Sequence, residues 1–117
     1  MRKTFVAVLF LLAVLACSPN ADNGYAAATR EYEADSLAYQ KAGDSITAAR
    51  FAGKVTAAQW QRFEDDQAAV QAADRDVYTD LETWQLTGSE PSTYAGRLRK
   101  LKLAQARVLA LAKEVSP

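Results

Sequence analysis

The side chains able to do chemistry in this 117-residue chain are few: histidine is absent and cysteine occurs once, at Cys17. Zinc, copper and haem sites therefore lack their usual ligands, and neither a Ser-His nor a Cys-His pair can be assembled. Carboxylate, lysine and tyrosine remain. Glu64, Asp65 and Asp66, with Asp74 and Asp76, form the densest acidic group. Neighbouring carboxylates on a helix point in different directions, and no glycine-containing loop offers ligands at alternate positions, so no metal is expected there. No poised acid, base or nucleophile emerges, and the chain reads as a non-enzyme without a cofactor.

Charge is distributed unevenly. From Glu64 to Glu90 there are eight acidic residues and one basic, Arg75; from Arg97 to Glu114 there are six basic residues and one acidic. If these stretches are antiparallel helices, Asp76, Asp80 and Glu82 come close to Arg97, Arg99 and Lys100. Internal pairing would then fix helix order, each exposed pair contributing about 0–1 kcal/mol. The functional alternative makes Arg97, Arg99, Lys100 and Lys102 a patch for anionic lipid head groups or envelope polymers. Two polar groupings carry similar alternatives. Tyr25, Tyr32 and Tyr39 recur every seventh residue and either border a core or stack on sugar rings. Gln67 and Asp74 interrupt an apolar seam, where they set register or form a polar notch.

The start of the chain carries an address. Arg2 and Lys3 precede an apolar run over 5–15, which ends in Val14-Leu15-Ala16-Cys17 and Ser18. A basic start, an apolar stretch and a small residue before a cut site have the form of a secretory signal. A membrane span needs roughly 20 apolar residues, more than this run supplies. With its cysteine at the cut, the segment 1–18 resembles the lipobox of bacterial lipoproteins. The resemblance implies diacylglyceryl transfer to the Cys17 sulfur, cleavage between Ala16 and Cys17, and acylation of the new amine. Two or more acyl chains hold a protein stably at a membrane where one does so only marginally. Conversion to a thioether also removes the liability of a lone thiol in an exported chain. The same resemblance implies, from Ser18 in place of aspartate, sorting to the outer membrane if the cell is Gram-negative, with the domain facing the periplasm.

Cleavage would leave about 100 residues, the size of one small domain. Loss of Arg2 and Lys3 leaves 12 basic against 14 acidic residues, a net charge of −2 that gives no pull toward nucleic acid. Residues 18–24 are polar and turn-rich and read as a tether of at most about 25 Å. The expected organisation is a signal peptide over 1–16, the lipidated cysteine and tether over 17–24, and a helical domain over 25–117.

Past Gly24 the chain is rich in alanine, glutamine, arginine and glutamate, which favours helix. Breaks at Gly53-Lys54-Val55-Thr56 and at 87–92 predict helices near 24–52, 57–86 and 92–115. Thr56 and Gln59 have the spacing of a capping box, Val55 and Trp60 that of a hydrophobic staple, and Gly53 suits a left-handed stop. Ser45-Ile46-Thr47-Ala48-Ala49-Arg50-Phe51 is a near-copy of Lys54-Val55-Thr56-Ala57-Ala58-Gln59-Trp60; either a second break around Gly43-Asp44 makes 45–52 a separate short helix, or, as favoured, one helix runs through with a kink at Gly43. Seams at alternating three and four spacing run through Trp60, Phe63, Gln67, Val70, Asp74, Val77, Leu81 and Trp84, and through Tyr94, Leu98, Leu101, Gln105, Val108, Ala112 and Val115. Three apolar seams close most simply as an all-α, antiparallel three-helix bundle. The expected function is that of a small membrane-anchored envelope lipoprotein with a structural role, a protein partner or self-association. A binding module for anionic lipid or envelope glycan is the alternative.

Overall fold

The structure, a computed structural model, describes residues 24–116; Ala16, Cys17 and the tether as far as Asn23 lie outside the described residues. Three helices follow in order: α1 (Tyr25–Phe51), α2 (Ala57–Thr87) and α3 (Tyr94–Val115). Connections over 52–56 and 88–93 are too short to do more than reverse direction, so successive helices are antiparallel. The expected all-α three-helix bundle forms, within extents of 50 × 24 × 20 Å.

Local chemistry sets the ends. Thr56 accepts from the Gln59 backbone N–H at 3.0 Å while its own N–H donates to the Gln59 side chain at 2.9 Å, completing the capping box. Gly53, at φ +74°, turns the end of α1, letting Lys54 N–H donate to Ala49 C=O and Gly53 N–H to Arg50 C=O. At the other end of α1, Gly24 has φ +93°, and a Cβ there would stand 3.4 Å from the Trp84 ring. Helix α1 is unbroken through Gly43, and Thr47 donates its hydroxyl to the Gly43 carbonyl one turn back. The copied turn sequence at 45–49 therefore stays helical: without a glycine at the position Gly53 occupies, nothing there favours a left-handed stop.

The core follows the seams. Ile46, Val77, Leu81, Val108 and Leu111 are wholly buried, each gaining about 1.5–3 kcal/mol relative to exposure. Helices α2 and α3 pack most closely, α3 and α1 next, and α1 and α2 approach least. Buried Ala73 and Ala104 belong to the close pair, whereas α1 offers α2 its long tyrosines. Among the described residues no helix is long and apolar enough to cross a membrane.

Candidate functional site

Three polar constellations hold the bundle. The first joins α1 to α2: Tyr32 donates its hydroxyl to Asp74 Oδ1 at 2.7 Å. Seven residues further along α1 and seven residues back along α2, the Gln67 side chain lies beside the Tyr39 hydroxyl. The tyrosine row and the two polar seam residues are thus one ladder, in which antiparallel helices with equal heptad steps meet rung by rung. Burial, then the Asp74 charge, push the Tyr32 phenol far above its usual range, and burial lifts Tyr39 to about 12. Asp74 is itself raised by burial, against the stabilising hydrogen bond from Tyr32. The Tyr32 phenol, held so firmly protonated, acts as a fixed donor to Asp74 and gives that rung a structural role.

The second constellation joins α2 to α3. Asp80 is 4% exposed, yet it receives Arg97 Nη1 at 2.8 Å and the Thr93 hydroxyl at 2.8 Å. Thr93 precedes α3 and makes no cap hydrogen bond; its hydroxyl reaches across to α2 instead. At the far end of the same pair of helices, Arg62 forms an ion pair with Glu114, which also accepts from Gln59. These contacts hold the exposed Glu114 carboxyl below its ordinary range.

The third joins α3 to α1. Lys102 Nζ stands 2.6 Å from Glu31 and 2.8 Å from Asp35, one helical turn apart on α1. The hydrogen bonds from Asp35 and Glu31 raise the Lys102 ammonium to about 12.

The four basic residues expected as a patch are therefore divided. Arg97 is committed to Asp80 and Lys102 to Glu31 and Asp35. Arg99 and Lys100 are exposed and form no ion pair among the described residues. Of the acids expected opposite them, only Asp80 engages α3; Asp76 and Glu82 remain at the surface. The periodic seam omitted Asp80 and Thr93, although their positions on facing helix ends carried the signal. Glu31 and Asp35 gave no signal before the approach of α1 to α3 was known.

Both ends of the bundle are closed by aromatic groups. At the end carrying Gly24, the Trp84 ring lies 5.9 Å from Tyr25 and 5.2 Å from Tyr94, both edge-on. At the opposite end, the Arg50 guanidinium stacks 3.8 Å over Trp60, which in turn tilts against Phe63. Among the described residues, no group of three or more acidic, cysteine or histidine side chains could hold a metal ion. No family model, no curated protein and no solved structure matches the chain.

Proposed function

We propose that this chain is a small envelope lipoprotein, anchored through Cys17, whose helical bundle acts by lateral contact with protein. The supporting observation is where the tether meets the bundle. Gly24 lies against Trp84, and Tyr25, only 2% exposed, enters the core at once. With at most about 25 Å of chain between Cys17 and that point, the end carrying 24–25 and 88–94 stays close to the bilayer. The turn at 52–56 is at the opposite end, and the helix faces between them are presented sideways.

An anionic-surface role for the basic patch is less favoured, because two of its four charges already have carboxylate partners within the bundle. Two measurements test the proposal. Fatty-acid labelling should mark the wild-type chain and vanish in Cys17→Ser, which should accumulate uncleaved; unchanged labelling would remove the anchor. A photo-crosslinking residue at exposed Leu103 should give protein adducts in cells. Adducts to lipid alone would transfer the role to membrane binding.

A further inference from the structure

The bridges from α2 to α3 define which charges share a flank. Arg62 and Asp80 both reach α3, so the steps of three and four between them place Asp65, Ala69 and Asp76 along that side of α2, with Ala72 just outside. By the same reasoning, Arg97 and Glu114 place Lys100, Leu103 and Arg107 along the facing side of α3. All seven of these flanking residues are exposed, Leu103 by 59%. The register of the two bridges sets Asp76 at the level of Lys100 and Ala72 at the level of Leu103. None of Asp65, Asp76, Lys100 or Arg107 forms an ion pair among the described residues. One surface thus carries an acidic edge with small residues beside a basic edge with an exposed leucine.

We propose that the partner in the protein-contact reading, on which this inference rests, is a second copy of this chain. The two copies meet through the α2–α3 face about a two-fold axis parallel to the bundle. Such an axis places α2 of each copy on α3 of the other at unchanged height. Acidic edges then meet basic edges, Asp76 faces Lys100 twice, and each Leu103 rests on the alanine step of the opposite α2. A two-fold axis across the helices would instead set acid on acid and base on base. It would also place the two tethered ends at opposite poles, whereas the parallel axis leaves both beside one membrane. Anchoring in a common layer raises the effective concentration of the copies and favours a contact of this modest kind.

The experiment uses the full chain purified from membranes in detergent, prepared as isotopically heavy and light pools and mixed. A carbodiimide, which joins a touching carboxylate and amine without a spacer, should give heavy–light Asp76–Lys100 adducts. Light scattering should show a dimer that weakens as salt is raised. Lys100→Glu and Asp76→Lys should each raise the dissociation constant by roughly tenfold or more. An equimolar mixture of the two variants should recover the dimer, because opposite charges then face each other at both contacts. Recovery on mixing has no explanation inside a single copy. A monomer at every concentration, the absence of heavy–light adducts, or variants that associate like wild type would overturn the proposal. Fatty-acid labelling of the same preparations separates the two readings. A labelled monomer removes the second copy and leaves the anchor, while an unlabelled dimer keeps the second copy and removes the anchor.

Discussion

The hydroxyl of Tyr32 on α1 donates to Asp74 on α2 across 2.7 Å, between residues 42 positions apart in the chain. The bond joins the two helices that approach each other least closely, and its energetics differ from those of the apolar seams. A half-buried carboxylate is tolerated there because a donor is supplied, and the donor is held in place because its ring belongs to the core.

Removing that donor should expose the cost of the acceptor. Tyr32→Phe is expected to destabilise the fold by about 1–3 kcal/mol, and adding Asp74→Leu should recover part of the loss. Urea unfolding of the two single variants and the double variant checks this, with non-additivity as the required result.

Asp74 also gives stability a pH dependence of defined sign. Its pKa is raised by burial above the ordinary 3.8, so the folded chain binds more protons than the unfolded chain between those two values. Stability from this group is therefore greatest at low pH and declines as pH rises through the raised value. Asp74→Asn should remove that decline, so the difference between variant and wild type in unfolding free energy should change between pH 3 and pH 7. The change amounts to about 1.4 kcal/mol for each pH unit by which the folded carboxyl titrates above the unfolded one. A pH-independent difference would contradict the assignment.

The buried Asp80 has a donor on each of its oxygens. Asp80→Ala removes the buried acceptor that Arg97 and Thr93 share and leaves two donors with access to solvent, at an expected cost of about 1–2 kcal/mol. Thr93→Val leaves one oxygen of the buried Asp80 without its donor and should cost about 1–3 kcal/mol. Thermal unfolding should show that the second change costs little once the first is made, because the orphaned acceptor is then gone.

Gly24 and Gly53 share a left-handed backbone but differ in surroundings: a Cβ meets the Trp84 ring at Gly24 and open space at Gly53. Gly53→Ala should therefore cost only the backbone penalty of about 1 kcal/mol. Gly24→Ala should cost more and also perturb Trp84 fluorescence, which Gly53→Ala should leave unchanged.

Much of the architecture was legible from local chemistry. The capping box at Thr56 and Gln59, the stop at Gly53 and the seam positions Phe63, Val70, Val77, Leu81 and Trp84 depend on residues within one or two helical turns. The tyrosine row and the polar seam residues were each visible as heptads, but their meeting depends on the relative sliding of α1 and α2. The basic run from Arg97 to Lys102 looked continuous in the chain. On a helix, consecutive residues point about 100° apart, so Arg97 turns to α2, Lys102 to α1, and Arg99 and Lys100 to solvent.

The sequence by itself determined that three amphipathic helices form and where they turn, because caps, stops and apolar periodicity act over a few residues. Its first 18 residues also carry the lipobox resemblance, which depends on residue order alone. Only the tertiary structure decided which charges are used internally and which are left at the surface. Ion pairing depends on separations of a few ångströms between helices, fixed by how Val77, Leu81, Val108, Leu111 and Ile46 fill the core. That packing commits Asp80, Arg97 and Lys102 to partners on neighbouring helices and leaves Asp76 and Lys100 exposed on one flank.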